Sequence, residues 1–147
     1  MLEIDLEQAL NEIGLYIARL HNPVPFLIGI GKIEVENVKK RIEDTKLSPD
    51  GENWLPWADS TAKARERKGN VDQGLLWDRG DLLNSIHAQI DGEVLEVGSD
   101  LDFASYLQFG TEKMPARPFL GWNEASFPLY QTLLNHFIET GIIGAAP

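Results

Sequence analysis

Apolar residues recur at spacings of three and four near the start of the chain: Leu6, Leu10, Ile13, Ile17 and Leu20. That stripe predicts an amphipathic helix from about Leu6 to Leu20, because 3.6 residues per turn bring such positions onto one face. His21-Asn22-Pro23 ends it, since proline does not continue the helical ladder. A second helix is expected from about Pro25, a residue suited to a first helical turn. Ile28, Val35, Val38 and Ile42 supply its apolar side. Gly29 and Gly31 weaken its opening turns. Lys39, Lys40 and Arg41 near its end complement the helix dipole.

The pattern then breaks. Ser48-Pro49-Asp50-Gly51 is a turn sequence, and Trp54 and Trp57 after it are expected to anchor a loop on the core. Asp59 or Ser60 is placed to cap a short helix through Thr61 to Lys68, followed by a mobile loop from Lys68 to Gly74. Asp78 to Leu83 reads as a short helical turn leading into a strand. From Ser85 the period changes to two. Asp91-Gly92 is a two-residue hairpin signal. With that turn, Ile86, Ala88 and Ile90 share a face with Leu95 and Val97, and His87 stands opposite Glu96. A helical turn from Phe103 to Phe109 follows. A connector with Pro115 and Pro118 leads to a last helix, from Asn123 or Ser126 to Thr140. Its inward residues are Leu129, Leu133, Leu134, Phe137 and Ile138.

This order predicts an α+β fold. Residues 1–147 form a single domain. It divides into a helical N-terminal arm over 1–47, a core over 48–140 with a small antiparallel hairpin packed against helices, and a loose tail over 141–147. At 147 residues and 43% apolar composition the chain is large enough for a hydrophobic core. The start is acidic and lacks the basic region and apolar core of a signal peptide. No apolar run approaches the ~18 residues of a spanning helix. A soluble protein made in a cytoplasm is expected, with no membrane partner.

Charge and chemistry narrow the function classes. The formal charge is −10, which counts against a surface built to neutralise phosphates. Residues 81 to 102 hold six acids (Asp81, Asp91, Glu93, Glu96, Asp100, Asp102) and no Lys or Arg. The basic stretch is Lys63, Arg65, Arg67 and Lys68, read as a solvated helix face or a contact for an acidic neighbour. The chain has no cysteine, so disulfides, thiolate metal sites and cysteine nucleophiles are excluded. His21, His87 and His136 are far apart and show no metal-ligand spacing. No serine sits in a G-x-S-x-G context. Gly29-Ile30-Gly31-Lys32 lacks the first glycine and the Ser or Thr of a phosphate loop. Asp72, Asp78, Asp81, Asp100 and Asp102 do not follow an EF-hand spacing and read as caps and turns.

Three segments carry a pattern beyond periodicity, and core packing alone does not account for the first. The first is Tyr106-Leu107-Gln108-Phe109-Gly110-Thr111, continued by Ala116-Arg117-Pro118-Phe119-Leu120-Gly121. It resembles the closing motif of the phage virion-morphogenesis family, the tail-completion proteins of contractile-tailed phages and Mu-like prophages. Pro49-Asp50-Gly51 with Trp54, Pro56 and Thr61 resembles a second piece. Leu76, Arg79-Gly80-Asp81-Leu82 and Ser85-Ile86 resemble a third. The pieces come in the family's order and cover about Leu6 to Ile138. Leu107 departs from the pattern, standing where many members carry histidine.

The resemblance implies a structural assembly protein rather than an enzyme, with no catalytic residue, cofactor or metal. It implies action in the virion, at the tail or neck, where the protein would complete the tail and help join it to the head. A homo-oligomeric ring is expected by analogy with sixfold tails. The partners would be further copies of the chain and tail-tube, terminator or head-connector proteins. There would be no specific nucleic-acid binding, although DNA would pass through a lumen. The candidate interface residues are Tyr106, Phe109, Arg117, Phe119 and the hairpin tip at Asp91 and Gly92. Two other classes stay open at this level: an acidic DNA-mimic or antitoxin-like regulator, and a small hydrolase using His87 or His136.

Overall fold

A computed structural model describes residues 5–143. The first helix, α1, runs Leu6–His21, and the Asp5 side chain caps it by accepting the Gln8 N–H. The second, α2, runs Val24–Lys40 with Pro25 in its first turn. It continues as a π turn over Arg41–Thr45, which Lys46 closes at φ 56°. The helix axes of α1 and α2 bend by 54° at the two residues between them. No single described helix is long and apolar enough to cross a membrane.

The inward side of α2 is the expected one at Val35, Val38 and Ile42 and differs in its opening turns. Ile28 is exposed, whereas Ile30, Gly31, Glu34, Val38 and Ile42 are buried. Gly31 explains the contact in the opening turns. A Cβ there would lie 3.0 Å from Leu95 Cδ1 and 3.2 Å from Ala88 Cβ, so its missing side chain lets the hairpin lie directly on the helix. The glycine that weakens the helix locally is what permits this packing.

The helix α3 runs Asp59–Lys68 and begins two residues earlier than a cap at Ser60 would place it. Ala58 precedes it without a side-chain cap. The stretch beyond it forms a 3-10 turn at Val71–Gln73, and Asn70 Nδ2 donates to Asp78 Oδ1 (2.6 Å). The short helix α4 (Asp81–Ser85) leads into β1 (Ile86–Asp91), which pairs antiparallel with β2 (Val94–Ser99). The hairpin turn is Gly92-Glu93, not Asp91-Gly92. Gly92 takes φ 60° at the first central position while Glu93 keeps an ordinary φ, the pattern of a II′ turn. The shared face of Ile86, Ala88, Ile90, Leu95 and Val97 survives the shift. The pairing does not: Gln89 stands opposite Glu96 and donates to it (2.6 Å), and His87 stands opposite Gly98.

The helix α5 runs Ala104–Phe109, and α6 runs Phe127–Thr140 after a 3-10 turn at Glu124–Ser126. Leu133 and Phe137 of α6 are buried, and Phe26 stacks on Phe137 with ring centroids 6.0 Å apart. The main core gathers Val38, Ile42, Trp54, Leu82, Ile86, Ala104 and Phe119. The fold is α+β, with a two-stranded sheet among helices. The last four residues of the tail expected to be loose, 144–147, lie outside the described residues.

Candidate assembly surface and the frame behind it

Gln108 makes three of the hydrogen bonds that hold the segment after α5. Gln108 Oε1 accepts the N–H groups of Phe119 and Leu120 (both 3.0 Å), and its Nε2 donates to Leu120 O (3.0 Å). An extended segment has no ladder partner of its own here, so the amide stands in for a neighbouring strand. Gly110 makes the return possible. It takes φ 74°, and a Cβ on it would lie 2.7 Å from Ala116 N. The Arg117 N–H then donates to Leu107 O (2.7 Å).

The Pro-Asp-Gly and tryptophan segment meets this frame from the other side. Trp54 Nε1 donates to Pro118 O (2.8 Å), and Arg117 donates through Nε to Leu55 O (2.8 Å) and through Nη2 to Pro56 O (2.7 Å). Gly121 lies against Pro49, with space for no Cβ: one would come within 2.8 Å of Pro49 Cγ. Arg41 Nη1 donates to Phe119 O (3.1 Å) and Gly121 O (2.9 Å), which joins α2 to the same strip. The third segment supplies Leu82 and Ile86 to the core around Phe119. Ser85 Oγ bonds Leu82 O (2.7 Å) and Ser99 Oγ (2.6 Å), fixing the helix-to-strand joint. Three segments distant in sequence thus converge on Arg117 to Gly121.

The sequence profile of the phage virion morphogenesis family matches residues 4–136. The chain belongs to that family. No curated protein and no solved structure matches the chain significantly. The virion-morphogenesis segments therefore have a structural reading in this chain: they form the frame that positions everything else.

The residues named from the sequence separate into two groups. Phe119 is 0% exposed, and Arg117 is buried with two backbone carbonyls rather than a carboxylate as partners. Burial lowers the Arg117 guanidinium from its usual range. Both side chains hold this subunit together. Tyr106 and Phe109 project outward from α5, Phe109 with 79% of its surface exposed, and Phe103 is exposed beside them. Asp91 and Gly92 are exposed at the hairpin end. All six acids between residues 81 and 102 are exposed as well.

Other expected features fall elsewhere. The basic stretch is not uniformly solvated: Arg65 lies over the Trp57 ring, 4.7 Å from its centroid, and donates to Trp77 O. His21, His87 and His136 are exposed on separate elements, and His87 Nδ1 contacts Ser85 O (2.9 Å). Among the described residues no group of three or more His, Asp or Glu is placed to hold a metal ion.

Two features escaped the sequence. Glu34 is buried in α2, where it accepts Asn37 Nδ2 (3.0 Å) and the Tyr130 hydroxyl. Burial pushes its carboxyl above the usual range, opposed by the Asn37 hydrogen bond and the charge of Arg41. The second is the exposure of the apolar stripe of α1. None of its residues is buried, and exposure runs from 49% at Ile17 to 68% at Leu6. A contiguous apolar helix face of this kind marks an interaction surface.

Proposed function

We propose that this family member completes the phage tail or neck and helps join the tail to the head, as a homo-oligomeric ring. The observation that carries the reading is the family match over most of the chain. The surface supports it: the framed core is built from motif residues, while α1, Tyr106 and Phe109 leave apolar area uncovered. The action is binding. Each subunit packs head-to-tail on the next, and one ring face receives tail-tube, terminator or connector protein. The ring encloses a lumen for DNA. The exposed acids of residues 81–102 line that lumen or meet a basic partner, and a wall of like charge lets DNA pass without sticking.

The test is a lysate of the phage or prophage with this gene deleted, viewed by electron microscopy. Separate filled heads and free, abnormal tails are expected, with joined virions restored by the gene in trans. Normal joined virions from the deletion would refute the role.

A further inference from the structure

We infer that the hollow beside Arg117 is a carboxylate-binding site, filled in the assembled particle by an acidic side chain set among apolar residues of a partner protein. The choice of a protein partner rests on the assembly reading above; the site itself does not. The hollow has a volume of about 510 Å³. Trp57, Leu76, Leu82, Phe103, Leu107 and Met114 give it apolar walls, and Arg117 lines it with them.

The Arg117 guanidinium has more donors than its own subunit uses. Nε and Nη2 each give one N–H to the carbonyls of Leu55 and Pro56, along one edge of the plane. The end-on edge, Nη1 with the second N–H of Nη2, bonds no described residue. That edge is not sealed in. Among the described residues the one enclosed side-chain N or O atom without a partner is Asn70 Oδ1. Arg117 as a whole is 6% exposed, so its remaining access is through the hollow that it lines. A guanidinium this deeply buried ordinarily has a carboxylate beside it, because taking a charge out of water is costly. Here burial alone lowers its hold on the proton, with no charged neighbour opposing that shift or adding to it. The free edge is a planar fork, and its two donors match the two oxygens of a carboxylate.

The rest of the hollow narrows the ligand. Arg65, Arg79 and Lys113 line it, and so do Asp78 and Asp81. Asp59, Glu66, Asp102 and Glu112 are exposed beside lining residues in sequence. The mouth therefore carries both signs, and attraction rests on the buried fork rather than on net charge. The two lining acids select against a phosphate dianion, which sets a second negative charge against them. A carboxylate brings one charge, spread over the two oxygens that the fork holds. The apolar walls ask for an apolar neighbour beside the acid. Phe103 continues that surface outward, and Tyr106 and Phe109 stand exposed on the adjoining α5. A free organic acid fills the hollow and leaves those rings uncovered, whereas a protein segment covers both.

The probe is hydrocinnamate, an aromatic ring on a short carboxylate arm, with its uncharged amide as control. Each is titrated into the isotope-labelled full chain and followed by NMR. The acid should shift the Trp57 indole N–H and the backbone amides of Leu107 and Met114 saturably. The amide control should bind about tenfold more weakly or worse. Arg117→Lys keeps the charge and loses the fork, and should weaken the acid by a similar factor. Phe103→Asp alters an exposed position and sets an acid at the mouth. It should stay folded by circular dichroism, lose the acid, and cut the infectious titre of a complemented deletion about tenfold or more. Equal binding of acid and amide overturns the site. So does inorganic phosphate that binds more tightly than the acid, or a response confined to the hollow between α2 and the hairpin. An unchanged titre from Phe103→Asp overturns the protein partner. Normal virions from the deletion would refute the assembly role while the binding of hydrocinnamate still stood.

Discussion

Gln108 commits every hydrogen-bonding group of its side-chain amide to two backbone residues, Phe119 and Leu120. Removing it strands two donors and one acceptor in a half-buried strip. Gln108→Ala should therefore cost about 2–4 kcal/mol, since each unsatisfied buried group costs about 1–3 kcal/mol. Urea unfolding followed by tryptophan fluorescence measures this, with Trp54 as the buried reporter. Glu34 makes a prediction in pH. Its folded-state affinity for a proton is raised, chiefly by burial. The folded chain then holds that proton more tightly than the unfolded chain. Its contribution to stability is complete below the ordinary value of 4.5 and is lost as pH rises through the higher folded value. Glu34→Gln keeps an acceptor for Tyr130 and has no charge to bury. Its stability relative to wild type should climb as pH is raised from 4.5 toward neutrality. A difference that stays flat across that range would show that Glu34 titrates as it does in the unfolded chain.

At the scale of elements, most of the helices and both strands were legible because their signals are local. The stripe of α1, the proline at Pro25 and the change to period two at Ser85 depend only on neighbouring residues. The hairpin turn was misplaced by one residue because two turn types compete at Asp91-Gly92-Glu93. Glycine satisfies a I′ turn at its second central position and a II′ turn at its first. The face assignment was unaffected, since the two registers present the same residues inward. On the inward side of α2, Val35, Val38 and Ile42 were legible, and the contact at its opening turns was not. It depends on Gly31, whose role appears only when the hairpin lies on it. Gly31→Leu should push β2 away from α2 and lower the unfolding midpoint by several degrees. Gly14→Leu has nothing within 4 Å of its Cβ and should leave the midpoint unchanged or raised, which controls for helix propensity. Thermal melts by circular dichroism compare the two.

For the whole molecule, the distribution of apolar and charged surface is the property that matters. The core is modest, and a full-length amphipathic helix stands outside it. The acids of residues 81–102 carry −6 of the −10 total, and all point to solvent. If they line a channel or face a basic partner, neutralising them changes assembly and not folding. The triple variant Asp91→Asn, Glu93→Gln, Glu96→Gln should keep its unfolding free energy within about 0.5 kcal/mol of wild type, as exposed substitutions do. Infectious titre from a complemented deletion should fall on the order of tenfold, because the potential at the wall or contact is altered. An unchanged titre would leave these acids a role in solubility alone.

Sequence by itself determined the α+β element order, the amphipathic arm and the three family segments, because periodicity, turn chemistry and motif spacing are properties of short stretches. It did not distinguish residues that build the frame from residues that face outward. Arg117 and Phe119 shared a motif with Tyr106 and Phe109, and all four were read as candidate interface. Only the tertiary structure separated them, by placing the carbonyls of Leu55 and Pro56 against Arg117 and the core around Phe119. Burial is a relation between distant parts of the chain. The same holds for the arm: a stripe of leucine and isoleucine announces a face that must be covered, and only packing reveals that its own subunit leaves it open.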